Sequence, residues 1–164
     1  MPTELHIDAS LFLGMHAEND KVRVGCKNFF VERLSDGAVV MSLEQVGRCD
    51  AIVWCRGRAE QDDYYPFMDV LHTDMGIDRV PYEERDIKVA LSTPELADLN
   101  LTDRLTMGMV LARGGELVTV SPRLRDRDGL PVRPPDGGPE RAFPPRLEEL
   151  YQRSLALRVP TEEV

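Results

Sequence analysis

Short apolar runs alternating with amphipathic segments decide the kind of fold this sequence can adopt. Ala38–Met41 and Leu117–Val120 are nearly continuous apolar runs with β-branched residues, as expected for strands that are covered on both faces. Leu5–Ile7 is a shorter run that leads into a polar turn. Because helical segments separate these strands, the sequence predicts an α/β domain with a mainly parallel sheet between two layers of helices.

Helices are predicted from apolar spacing, capping residues and glycine stops. The clearest helix begins at Asp103, has apolar residues spaced for burial on one side, and ends at Gly114–Gly115. A further strand is predicted over Ile77–Tyr82, where Pro81 restricts the strand to an edge of the sheet or must lie at the strand's end. The same criteria predict other helices from residue 11 and over residues 20–34, 42–56, 62–75 and 94–99.

Length and charge limit the functional classes. The chain has 164 residues, which suits one domain, and 20 Lys and Arg against 29 Asp and Glu give a net charge of −9. Such an acidic chain is poorly suited to non-specific contacts with nucleic acid phosphates. The three cysteines lack zinc-site spacing, which predicts free thiols. With no signal peptide or long apolar run, the sequence predicts a cytoplasmic protein without a membrane segment.

The composition changes after Arg125. Proline, glycine and charged residues dominate the following segment, which predicts an extended and partly flexible arm. Arg146–Leu157 has the spacing of an amphipathic helix. We therefore divide the chain into a domain over residues 1–125 and an extension over residues 126–164. The final helix could pack on its own domain, form a homodimer with a second copy, or join the arm in binding a protein partner.

Polar residues follow three of the predicted elements at places where ligands commonly bind. Asp8 ends the first strand, Ser42 ends the second, and Ser121 follows the strand Leu117–Val120. In parallel sheets, ligands bind beyond the carboxyl ends of the strands, and Asp103 could join this group through the fold. Converging carboxylates suit Mg²⁺ or Mn²⁺, which can activate water for phosphodiester hydrolysis. Taken singly, either aspartate is more simply explained as a helix cap, because each precedes a helix.

Other candidates carry weaker signals. His16 lies two helical turns after Asp8 and could face the same side, although the pattern favours a surface histidine. The glycine-rich nucleotide-binding, zincin and serine-hydrolase motifs are absent from the sequence. The acidic residues at the strand ends therefore remain the main basis for a functional hypothesis.

Four segments in chain order resemble the PIN-domain family. Leu5–Leu13 (LHIDASLFL) resembles the opening strand and acidic turn of these domains, and Gly37–Ser42 (GAVVMS) is similar to their second strand. Leu99–Leu105 (LNLTDRL) resembles their third acidic motif, and Arg113–Leu124 (RGGELVTVSPRL) resembles their last strand. The resemblance extends over about residues 5–124 and leaves out the segment after Arg125.

The resemblance implies a three-layer PIN-like domain with a metal-dependent ribonuclease site. Such enzymes use three or four acids to hold Mg²⁺ or Mn²⁺, and many bacterial members are toxins paired with an antitoxin. By this resemblance Asp8, Glu44 and Asp103 would bind the metal, and Ser121 would orient water or the RNA substrate.

Two departures from the family pattern allow a second hypothesis. The second acid is expected about six residues after Ser42, where this chain has Arg48, and Ser121 replaces the last acid. Glu44 is a better substitute than Asp50, because it lies one turn earlier and closer to the strand end. Arg48 could also act as a fixed cation in place of the metal. The chain is then either a divergent endoribonuclease or a catalytically degenerate PIN-like binding or assembly module.

Overall fold

The computed structural model describes residues 2–164 as an α/β fold built on a parallel sheet. Its strands occur in the order β3-β2-β1-β4-β5, and each pairs in parallel with its neighbour, so β1 is the central strand. The predicted α/β class is therefore confirmed. The strands are β1 (Leu5–Ile7), β2 (Val39–Ser42), β3 (Ile77–Val80), β4 (Glu116–Val118) and β5 (Val132–Arg133).

Seven helices connect and follow these strands in the described residues. α4 begins at Arg58, earlier than the predicted Asp62, because its first turn is polar and has no apolar spacing to mark it. Across residues 2–164, no helix combines the length and apolar content needed to cross a bilayer. The helices are α1 (Ala9–Gly14), α2 (Asp20–Asp36), α3 (Leu43–Trp54), α4 (Arg58–Asp74), α5 (Glu84–Ser92), α6 (Leu101–Ala112) and α7 (Pro145–Ser154).

Buried side chains cover both faces of the sheet. Successive side chains of a strand point to opposite faces, so Leu117 and Val118 of β4 belong to different clusters. The larger cluster packs Ile7 and Val118 against helices α1, α2, α4 and α7. The smaller cluster packs Leu117 against Met107 and Val110 of α6. This arrangement is consistent with the three-layer α/β/α architecture expected from the sequence.

The segment after Arg125 contributes to the same core. Its residues Val132 and Arg133 form β5, which pairs with β4. α7 then packs on α4, and its Leu147 and Tyr151 are buried. Residues 126–164 therefore supply an edge strand and a helix that packs in one layer, although their composition predicted an extension outside the domain.

Helices α5 and α6 approach each other closely at Gly108. A Cβ atom added there would lie 2.5 Å from Ala90 Cβ, 2.5 Å from Asp86 O and 2.8 Å from Ala90 N. Two of these three atoms are backbone, so the helices would have to separate to accept a methyl group.

We therefore expect Gly108→Ala to lower the free energy of unfolding by about 2 kcal/mol, as is typical of overpacking. Urea denaturation followed by circular dichroism would measure the change. Gly47→Ala is the matched control, because Gly47 lies within α3 and a Cβ there meets no atom within 4 Å. The control should raise stability by up to about 1 kcal/mol. Equal effects of the two substitutions would contradict the packing argument.

Candidate functional site

The candidate site lies at the carboxyl ends of the parallel strands, a region we call the strand-end edge. Asp8 follows β1, Ser42 is the last residue of β2, and Ser121 follows β4. All three residues are buried. Because β2, β1 and β4 are adjacent and parallel, the structure places these residues along one edge of the sheet.

Asp8 is held in place by its neighbours. Its Oδ1 accepts hydrogen bonds from Ser10 N (3.1 Å) and Ser10 Oγ (2.5 Å), and its Oδ2 accepts one from Thr119 Oγ1 (2.7 Å). The side chain caps α1 and is 4% exposed. Burial raises the pKa of Asp8, although these hydrogen bonds and the charge of Arg48 oppose the rise. Both carboxylate oxygens are thus already engaged within the protein.

The contacts of Asp8 form a closed ring of three side chains. Ser10 Oγ and Thr119 Oγ1 lie 3.0 Å apart, and they also accept hydrogen bonds from Val120 N and Ser121 N respectively. The two hydroxyl protons can serve only two of the three contacts when Asp8 is ionised. Because both hydroxyls can donate to Asp8, these contacts favour the ionised acid and oppose the effect of burial. Thr119 was not singled out in the sequence.

Asp103 forms an ion pair with an arginine that the sequence did not identify. Arg123 Nε donates to Asp103 Oδ2 at 2.6 Å, and Asn100 Nδ2 donates to the same oxygen at 2.8 Å. Asn100 also caps α6 by accepting from Asp103 N at 2.9 Å. Asp103 is 2% exposed, so its charge is buried and balanced by Arg123. This is the fixed-cation arrangement considered for Arg48, but Arg123 provides it.

Gln45 occupies the position between α1, α3 and α6. Its Oε1 accepts from Ala9 N at 3.0 Å, and its Nε2 donates to Thr106 Oγ1 at 3.0 Å. Its own backbone N–H donates to Ser42 Oγ. Gln45 was not among the site residues predicted from the sequence, yet it is buried and joins the turn after Asp8 to α6. The α3 side chain that contacts the turn after Asp8 is therefore a neutral amide and not a carboxylate.

The two acids proposed as substitutes for the family's second acid both face solvent. Glu44 is exposed and accepts a hydrogen bond from Tyr82 OH at 2.9 Å, and Tyr82 in turn accepts one from Ser42 Oγ. Asp50 is exposed and lies 3.5 Å from Tyr65 OH. Neither residue is among the hydrogen-bond partners of Asp8, because Gln45 is the residue of this turn that points inward.

The sequence-based metal set is not assembled in the fold. Asp8 bonds to Ser10 and Thr119, Asp103 is paired with Arg123, and Glu44 lies outside against Tyr82. Within residues 2–164, no three His, Cys, Asp or Glu side chains converge in a way that could hold a metal ion. The donor set therefore does not fit Mg²⁺ or Mn²⁺, which take several oxygen ligands.

Ser121 and Arg48 lie where the PIN resemblance predicts acids, and their side chains form no hydrogen bonds among the residues described. Ser121 is buried, and its Oγ is without a hydrogen-bond partner among the residues described. Arg48 is half-buried and lines a cavity beside the N-terminus of α6. Its charge is close enough to oppose the rise in the pKa of Asp8.

His16 has a structural position away from this edge. The side chain is fully buried, its Nε2 lies 2.8 Å from Ser154 Oγ, and its Nδ1 lies 3.4 Å from Phe12 O. Burial lowers the pKa of His16 to about 4. It therefore links the end of α1 to α7 as a neutral side chain.

Similarity to known proteins identifies a family but no activity. No curated protein matches the chain. The family model that matches it covers residues 1–164 and is described as a family of unknown function, DUF6190. The protein therefore belongs to the DUF6190 family.

Proposed function

We propose that this protein is a catalytically degenerate PIN-like domain that acts by binding and not by hydrolysis. The four-segment resemblance and the parallel α/β fold support the PIN-like part of the proposal. The ion pair of Asp103 with Arg123 is the main support for the loss of catalysis. It neutralises one of the two acids that the chain retains at the positions the resemblance predicts.

The energetics of the two acids favour this interpretation. A divalent cation on Asp103 Oδ2 would have to displace Arg123 Nε and Asn100 Nδ2, which both donate to that oxygen. A cation at Asp8 would have to break hydrogen bonds to Ser10 or Thr119. The rival hypothesis of a metal-dependent endoribonuclease requires both changes, and Glu44 would also have to leave Tyr82.

The binding surface in this proposal is the strand-end edge and not the C-terminal helix. α7 buries Leu147 and Tyr151 against its own chain, so its apolar side is already covered. The strand-end edge, by contrast, presents the half-buried Arg48 and the exposed Arg123 beside a cavity.

Thermal melting with and without millimolar Mn²⁺ tests the proposal. We expect no rise in Tm, because a ligand selective for the folded state stabilises it by RT ln(1 + [L]/Kd) and the donor set gives Mn²⁺ little affinity. We also expect no cleavage of single-stranded RNA under the same conditions. A rise in Tm that Asp8→Asn abolishes, together with Mn²⁺-dependent cleavage, would instead establish the nuclease.

A further inference from the structure

A cavity at the strand-end edge is lined by two arginines from different parts of the chain. It has a volume of about 360 Å³ and is bounded by Arg48, Asn100, Leu101, Thr102 and Arg123. Its lining contains no acid, although the chain carries a net charge of −9. Two cations around one small space in an acidic protein indicate an anionic ligand.

The guanidinium of Arg48 lacks a hydrogen-bond partner among the residues described. Within residues 2–164 it forms neither a hydrogen bond nor an ion pair, although it is half-buried on α3. A guanidinium carries five N–H donors in a fixed fork, and burying them in part without acceptors is unfavourable. An anion in the cavity would supply the missing acceptors.

Arg123 also retains donors that can face a ligand. Its Nε is used by Asp103, whereas its two terminal nitrogens have no hydrogen-bond partner in the described part of the chain. Asp103 offsets the charge of Arg123, and Arg48, which has no ion pair in the described residues, adds a second positive charge at the cavity. The pair with Asp103 also fixes the orientation of the Arg123 fork.

The N-terminus of α6 adds backbone donors to the two arginines. The cap residue Asn100 accepts from Asp103 N, whereas the N–H groups of Leu101 and Thr102 have no acceptor among residues 2–164. Free N–H groups and the helix dipole both favour an anion at this end of the helix.

We propose that this cavity binds a small organic phosphate monoester, with Arg48 and Arg123 contacting the phosphate group. The inference rests on the proposed function, since it assigns a ligand class to the same binding edge. Two guanidinium forks and two backbone N–H groups exceed what a carboxylate can accept, and they suit the three terminal oxygens of a phosphate.

The size of the cavity explains why an organic group is included. The cavity is a shallow depression that is open to solvent, and its volume of about 360 Å³ lies at the lower end of the range of about 300–1,000 Å³ that is usual for small-molecule sites. A phosphate ion alone would leave space unfilled. Leu101, which is 61% exposed, provides an apolar surface for the remainder of the ligand.

Calorimetric titration of the full chain with inorganic phosphate and with phenyl phosphate tests the inference. We expect both to bind, and phenyl phosphate more tightly. Arg48→Gln should weaken both by about tenfold or more, as for the loss of charged hydrogen bonds. Arg48→Lys should recover only part of the affinity, because it restores charge without the fork. Arg125→Gln is the control, since it removes a nearby charge that does not line the cavity.

A second pair of variants tests the backbone donors without changing charge. Leu101→Pro removes one N–H at the first position of α6, where proline is well tolerated, and the extended conformation of Asn100 (ψ 164°) suits a following proline. Leu101→Ala shortens the same side chain but keeps the N–H. We expect Leu101→Pro to bind inorganic phosphate several-fold more weakly than Leu101→Ala.

Binding of neither probe, or unchanged binding by Arg48→Gln, would overturn the phosphate inference. Either result combined with no Mn²⁺ shift would leave the proposed binding module standing with a different ligand. A Mn²⁺ shift with RNA cleavage would overturn the proposed function itself, so the two failures are distinguishable.

Discussion

Lys27→Met is expected to lower the free energy of unfolding by about 3 kcal/mol, at the lower end of the cost of breaking a buried ion pair. Lys27 is 1% exposed, and its Nζ donates to Glu140 Oε2 and Glu148 Oε1 at 2.8 Å each. The ammonium also lies over the ring of Tyr151, 4.8 Å from its centroid. Methionine keeps much of the volume but leaves Glu148 without its cation, whereas Glu140 keeps its ion pair with Arg23.

Urea denaturation of wild type and variant would measure this loss. Lys88→Met is the matched control, because Lys88 is an exposed lysine paired with Glu84 on α5, and such pairs contribute about 0–1 kcal/mol. Adding Glu148→Gln to Lys27→Met should recover part of the stability, since it removes one unpaired carboxylate. A loss no greater than that of the control would contradict the importance of this buried lysine.

Acid is expected to destabilise the fold by about 3 kcal/mol through His16 alone. Burial lowers the folded-state pKa of His16 to about 4, whereas an unperturbed histidine titrates at about 6.5. The unfolded state therefore binds a proton between these values while the folded state does not. Stability falls as the pH drops below about 6.5, and this contribution levels off below about 4.

His16→Gln isolates this effect, because glutamine can still bond Ser154 but does not titrate. The difference in unfolding free energy between wild type and variant should change by about 3 kcal/mol from pH 7 to pH 4. The difference between the two proteins removes the contributions of other titrating groups to the pH dependence. One of these groups is His72, because burial lowers its pKa to about 4 as well. Parallel stability curves for the two proteins would show that His16 does not couple folding to pH in this way.

Much of the fold followed from local sequence patterns. The apolar runs around Val39–Met41 and Leu117–Val118 marked strands, and Gly114 marked the end of α6. β5 was not predicted, because its residues Val132 and Arg133 lie in a segment rich in proline and glycine. Only pairing with β4 makes these residues a strand, so tertiary context decides their conformation.

The site could be predicted from the sequence less completely than the fold. Asp8 could be placed at a strand end, and its role as a cap of α1 was an alternative that the structure displays directly. The sequence weighed Glu44 against Asp50, and the inward residue is Gln45, which differs in direction from Glu44 by about 100° on a helix. The partner of Asp103 could not be read either, because Arg123 follows it by 20 residues and lies in a loop.

The central position of β1 determines when this chain can complete its fold during synthesis. The first strand made, Leu5–Ile7, needs β4 as one neighbour, and β4 is made more than a hundred residues later. The bond from Lys27 to Glu148 spans 121 residues and closes the core even later. Contacts between such distant segments slow folding. The ribosome-bound chain therefore has one side of β1 unpaired until most of its length has emerged. Helices α1 and α2 form early, but α7 packs into the same core only when the C-terminal residues are available.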